Sequence, residues 1–208
     1  VNYKYPIMGS ISSYYEIIME NDLLVLMRSK KTIFTVSDLS LLWNTTNSSL
    51  IWKRVYRYTK SGKLFSLRRG IYAKDRNYDK FELAGRIYTP SYISFETVLA
   101  KAGVIFQYYS QIFVASYLSR ELTIDGQKYE FKKVKNSILT NPAGIEIKDS
   151  YFIASPERAF LDVLYLNREY YFDNPNSLNW GKVEDILPIY GENKRMELRV
   201  KKYKEEND

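Results

Sequence analysis

The sequence predicts an α+β chain, and three observations carry the prediction. Capping residues stand ahead of runs with helical spacing, turn residues separate short apolar or alternating runs as hairpins do, and charge divides the chain in two. Residues 1–85 hold 14 Lys and Arg against 7 Asp and Glu, a balance of +7, whereas residues 86–208 hold 17 of each, a balance of zero. Residues 1–85 are expected to form one domain and residues 86–208 a second, of mixed α+β type. At 208 residues, 45% of them apolar, the chain can bury a sizeable core.

The first helix is expected over about Tyr14 to Lys30, capped by Ser13, with Ile17, Ile18, Leu24, Val25 and Met27 near helical spacing. Phe34 and Thr35 read as a short extended piece. Thr35 and Asp38 then form a capping box that opens a helix through Leu39, Leu41, Leu42 and Trp43. After a polar break at Asn44 to Ser49, a third helix is expected from about Ser48 to Ser61, closed by Gly62 in a left-handed conformation. Leu64 to Leu67, a turn at Arg68-Arg69-Gly70, and Ile71 to Ala73 read as a hairpin.

Helix, short strand, helix, polar turn, helix and hairpin is the order of a winged helix-turn-helix. On the third helix, at 100° per residue, Ile51, Val55 and Tyr58 share one side. Ser49, Lys53, Tyr56 and Lys60 fall opposite, flanked by Trp52 and Arg57. One face packs and the other is left to meet phosphates and base edges, as a helix in a major groove requires. From Leu39 to Lys74 there is no acidic residue, while Lys53, Arg54, Arg57, Lys60, Lys63, Arg68, Arg69 and Lys74 all fall there. Such a run repels itself unless an anion neutralises it; a solvated basic face is the bland alternative. Arg68 and Arg69 suit a wing reaching the DNA backbone or minor groove, or an edge hairpin kept soluble by charge. The expected DNA-facing set is therefore Ser49, Trp52, Lys53, Tyr56, Arg57, Lys60, Arg68 and Arg69. Basic residues gathered on a helix and hairpin favour duplex DNA over single-stranded RNA, for which aromatics on an exposed sheet are the usual platform.

In the second half a helix is expected from about Tyr78 to Tyr88, ended by Pro90, and another from Ser94 with Thr97 three residues on. Ile112 to Tyr117 reads as a strand. Asp125-Gly126 joins Leu122–Ile124 to Tyr129–Val134 as a hairpin, and Ile145–Lys148 with Tyr151–Ala154 form a further strand pair. A helix follows from Pro156, capped by Ser155, to about Leu166, and two amphipathic helices from Lys182 to Lys204 are broken near Pro188 to Gly191.

Cysteine and histidine are both absent, which removes disulfides, thiolate zinc sites, Ser-His-Asp triads and Cys-His dyads. Catalysis would rest on carboxylate, lysine, tyrosine or serine, and no enzyme activity, metal or cofactor is expected. Glu146 and Lys148, with Asp125, superficially resemble a metal-nuclease set, but Asp125 is better explained as turn chemistry. There is no glycine-rich phosphate loop. Ser155-Pro156-Glu157-Arg158 has helix-start logic, and Arg158 with Asp162 at i, i+4 is expected to pair on the surface; the helix start is either structural or an interaction surface. No apolar run approaches the roughly 20 residues of a membrane span, and a soluble cytoplasmic protein with no membrane partner is expected. The residues ahead of Met8 are expected to be a non-standard start or an appended remnant and carry no expectation for the fold.

Four segments in order, Phe34–Leu39 (FTVSDL), Leu64–Ala73 (LFSLRRGIYA), Tyr92–Leu99 (YISFETVL) and Ile153–Leu164 (IASPERAFLDVL), resemble the AbiEi-type antitoxins. These are regulators from abortive-infection and type IV toxin-antitoxin loci, and the resemblance spans roughly residues 14–200. It implies a winged helix binding inverted repeats in its own promoter, with the third helix and Arg68-Arg69 on the DNA. It also implies a C-terminal domain protecting against a nucleotidyltransferase-like toxin, without a stable complex between the two. Many relatives carry histidines in that domain; this chain has none, so histidine chemistry is no part of its activity.

Overall fold

The computed structural model describes residues 21–191 and 193–206, in an α+β fold with two sheets. It divides into two compact units, Val1–Tyr78 and Asp79–Asp208. The division falls ahead of the one that charge alone placed after residue 85, because the helix expected there belongs to the second unit.

In the first unit residues 21–28 are helical (α1); the expected Ser13 cap lies outside the described residues. β1 (Ile33–Thr35) runs directly into α2 (Val36–Leu42) through the expected capping box. Thr35 Oγ1 accepts from the Asp38 N–H at 3.1 Å, and the Asp38 carboxylate accepts from the Thr35 N–H at 2.9 Å. α3 (Ser48–Lys60) opens on Asn47, whose Oδ1 accepts from the Leu50 N–H at 3.1 Å. Beyond the Ser61 cap, Gly62 turns the chain with φ 68°. β2 (Phe65–Arg68) and β3 (Ile71–Ala73) form the hairpin, and β1 adds to its other side to give the antiparallel order β1-β3-β2. The β2–β3 register shifts between Ser66 and Arg68. Leu26, Phe34, Leu39, Trp43, Ile51, Val55, Tyr58, Leu64 and Tyr72 make one core, drawn from α1, β1, α2, α3, β3 and the residue ahead of β2.

The second unit opens on α4 (Lys80–Ile87), capped by Asp79. There follow β4 (Ser91–Ile93), α5 (Glu96–Lys101), β5 (Ile112–Ser116), β6 (Arg120–Ile124), β7 (Gln127–Lys133), the short α6 (Asn136–Leu139), β8 (Ile145–Lys148) and β9 (Tyr151–Ala154). Then come α7 (Pro156–Leu166), α8 (Trp180–Ile186), a 3₁₀ turn at Leu187–Tyr190 and α9 (Lys194–Glu205). The six-stranded sheet has the order β6-β7-β5-β4-β9-β8, with β4–β9 and β5–β7 parallel and the other pairs antiparallel. Asp125 and Gly126 both take positive φ, 49° and 76°, closing β6 on β7 as expected of that pair. Every residue from Glu157 to Leu164 on α7 is buried, so this helix is covered on all sides rather than amphipathic. Among the described residues no helix is long and apolar enough to cross a membrane.

β4 is not among the expected strands, and α5 does not start as expected. β4 has three residues, all buried, too few to show a period, yet it lies inside the sheet. Ser94 and Thr97 do not start a helix as a cap pair. α5 begins at Glu96 after Phe95, which has φ 55° and makes no capping bond. The Ser94 hydroxyl instead donates to Asp162 at 2.7 Å, and Thr97 Oγ1 accepts from the Phe113 N–H at 2.7 Å. Both hydroxyls are taken by partners far along the chain.

Candidate nucleic-acid interface

α3 is divided lengthwise as its sequence period requires. Ile51, Val55 and Tyr58 are buried, and Ser49, Trp52, Lys53, Tyr56, Arg57 and Lys60 are exposed. Arg68 and Arg69 at the hairpin are exposed too, so all eight residues expected to face a ligand lie on the surface of the first unit. Trp52 and Tyr56 keep 46% and 66% of their surface, so both rings stand on the outward side of α3. The Lys60 ammonium lies 5.9 Å from the Tyr56 ring centre, a loose cation–π contact on the exposed side of α3.

The basic run is not uniform. Arg54 is turned inward, where its Nη1 donates to both oxygens of Asp22, at 3.0 and 3.2 Å. The Tyr58 hydroxyl donates to the same carboxylate at 3.3 Å, and the Trp43 indole N–H to the Asp22 carbonyl at 3.3 Å. Asp22 thereby ties α1 to α2 and α3. Burial pushes its carboxyl above the usual range, against the pull of Arg54 and Tyr58. The same burial, with the Asp22 charge, pushes the Tyr58 hydroxyl far up. Lys74 is also engaged, its Nζ donating to the Ser29 carbonyl at 2.8 Å. Of the eight basic residues between Leu39 and Lys74, these two brace the unit, and the remaining six, Lys53, Arg57, Lys60, Lys63, Arg68 and Arg69, are exposed. The inward role of Arg54 was not legible in the sequence, because its partner is 32 residues away.

In the second unit the structure corrects the reading of the Ser155-Pro156-Glu157-Arg158 start. Ser155 caps α7 as expected, its Oγ accepting from the Arg158 N–H at 3.2 Å. Arg158 and Asp162, however, are both 0% exposed, and their pairing is internal rather than superficial. Asp162 accepts from Tyr92, Ser94 and Tyr190 hydroxyls, the last two at 2.7 Å. Arg158 donates to the Ala143 and Ile138 carbonyls at 2.7 Å each and to the Tyr92 hydroxyl at 3.0 Å. Its Nε is 3.5 Å from Asp162 Oδ1, and its guanidinium lies 5.3 and 5.5 Å from the Tyr92 and Tyr190 ring centres. Burial, and next the Asp162 charge, raise both tyrosine hydroxyls. This network joins β4, α6 and the loop after it, α7 and the turn before α9, and it gives Arg158 and Asp162 the partners that a buried charged pair requires.

The nuclease-like set does not assemble. Asp125 closes the hairpin on the β6 edge and Glu146 lies on β8, at the opposite edge of the six-stranded sheet.

No family model matches this chain, and no curated protein matches it. Among solved structures it is similar to the crystal structure of the RV2827C protein from Mycobacterium tuberculosis, at 11% identity and a TM-score of 0.45, over 89% of this chain and 81% of that one.

Proposed function

We propose that residues up to Tyr78 are a winged helix-turn-helix that binds double-stranded DNA, with α3 in the major groove and the Arg68-Arg69 hairpin as the wing. The observation that carries this reading is the two-sided α3. Its apolar side is used up in the core, and its outward side presents Lys53, Arg57 and Lys60 with Ser49, Trp52 and Tyr56. Arg and Lys supply the phosphate contacts, and Ser49, Trp52 and Tyr56 add hydrogen-bonding and apolar groups for base edges.

On the resemblance of its four sequence segments to the AbiEi-type antitoxins, the chain acts as a repressor of its own promoter, at inverted repeats, and as an antitoxin. It is a regulator and not an enzyme, works in the cytoplasm, and counters a nucleotidyltransferase-like toxin without holding it in a stable complex. A stand-alone regulator is the second reading, since α3 and the hairpin support DNA binding by themselves and protection rests on the resemblance.

The test is a salt titration of binding to the chain's own upstream DNA. Replacing Lys53 and Lys60 by alanine should lower the slope of log K against log salt by roughly one unit for each phosphate that is no longer neutralised. Equal slopes for wild type and double mutant overturn the placement of α3.

A further inference from the structure

The six-stranded sheet has two edges of different character. β6 carries exposed Arg120 and Glu121 and no large exposed apolar side chain, the usual way of blunting an edge. β8, at the other edge, carries Ile147 at 73% exposure, beside its register partner Phe152 at 49%. Among the described residues no strand pairs with the outer side of β8. A cleft of ≈550 Å³, lined by Tyr92, Leu139, Ile145, Ile147 and Phe152 with Arg86, opens beside it.

Hydrogen-bond parity fixes which backbone groups this edge offers. Asp149 and Ser150 form the loop of the β8–β9 hairpin, with Lys148 opposite Tyr151. The residues that close a two-residue loop bond to each other, and the pattern alternates along the strand. Glu146 therefore also bonds inward, to Ile153, and the N–H and C=O of Ile147 point out of the sheet.

We propose that β8 is a two-fold seam, on which a second copy of this chain pairs antiparallel with the two Ile147 residues opposite each other. Parity permits antiparallel registers centred on residue 146, 147 or 148. Centring on 146 sets Glu146 against Glu146, and centring on 148 sets Lys148 against Lys148. Centring on 147 sets Ile147 against itself, with two N–H···O=C bonds, and flanks it with two Glu146–Lys148 pairs. Glu146 and Lys148 are both exposed and make no ion pair among the described residues, so both are available to a second copy. Only this register satisfies both the backbone and the charges. A seam of four-residue strands is small beside the roughly 1,200 Å² of a stable interface, so the association is weak and is best trapped.

The chain has no cysteine, so Ile147→Cys introduces a single thiol. In the proposed register its Cα lies about 5.5 Å from its symmetry mate, within the range a disulfide spans. Under mild oxidation the full-length Ile147→Cys protein should form a disulfide dimer about tenfold faster or more than Leu198→Cys or Tyr108→Cys, at equal concentration. Those control sites are exposed by 67% and 87%. Adding Glu146→Lys to Ile147→Cys should slow cross-linking several-fold, because both flanking pairs become Lys against Lys. Adding Lys148→Glu as well should restore it, which a general disturbance of the hairpin would not do. Cross-linking at 147 no faster than at the controls, or a charge reversal that its partner reversal does not rescue, overturns the proposal.

Discussion

Asp22 on α1 and Arg54 on α3 meet at 3.0 Å across 32 residues of sequence, in a site that also takes the Tyr58 hydroxyl and the Trp43 indole. One basic side chain of an acid-free run is thus spent on fixing the helix that carries the others. Asp22→Ala should cost about 2–3 kcal/mol, because it strands a largely buried guanidinium and removes the acceptor of Tyr58. Urea denaturation followed by tryptophan fluorescence reads this directly, and a loss under about 0.5 kcal/mol would falsify the clamp.

Arg68→Ala with Arg69→Ala should weaken binding to the upstream DNA while leaving the melting temperature nearly unchanged. Both side chains are exposed, and Gly70 keeps the turn with φ 79°. A lower melting temperature with unchanged affinity would mean that the arginines support the fold.

Gly144 has φ 70°, and a Cβ there would lie 2.7 Å from Ile186 Cδ1 and 2.8 Å from Arg158 Cβ. Gly144→Ala should cost about 2–4 kcal/mol, adding overpacking against a buried arginine to the left-handed backbone cost. Gly103→Ala, with φ 71° and open space around it, should cost about 1–2 kcal/mol from the backbone alone. Equal losses at the two sites, compared by thermal denaturation, would remove the close approach as the cause.

Tyr92 and Tyr190 are raised by burial and then by the Asp162 charge, and Tyr58 by burial and then by Asp22. A folded value above the unfolded one makes the neutral phenol stabilising. That stability is fully present below about pH 10 and is lost as pH rises through the higher folded value. Phenolate absorbance should therefore rise in two stages, the second coinciding with loss of circular dichroism, and Tyr190→Phe should shrink the second stage. Complete ionisation while the circular dichroism stays native would contradict the buried network.

If protection against a neighbouring toxin belongs to the second unit, a fragment starting at Asp79 should rescue cells and fail to repress, and a fragment ending at Tyr78 should do the reverse. Circular dichroism must first show both fragments folded. Rescue by full-length protein alone, with a folded second fragment, would place protection elsewhere. Failure of even the full-length protein would leave the regulator without the antitoxin.

What the sequence determined by itself is local. The Thr35–Asp38 capping box, the Gly62 and Asp125-Gly126 turns, the Ser155 cap and the two faces of α3 each depend on residues within about a helical turn, where covalent geometry brings the partners together. Tertiary structure alone decided which polar groups go inside. Ser94 reads as a cap until Asp162, 68 residues on, takes its hydroxyl, and Arg158 and Asp162 read as a surface pair until Tyr92 and Tyr190 close over them. The same holds for β4, too short to show a period, and for Arg54, which looks like its basic neighbours until α1 brings Asp22 beside it. Burial turns a charge from a solvated group into one that must be paired, and which charges are buried depends on the topology that brings distant segments together.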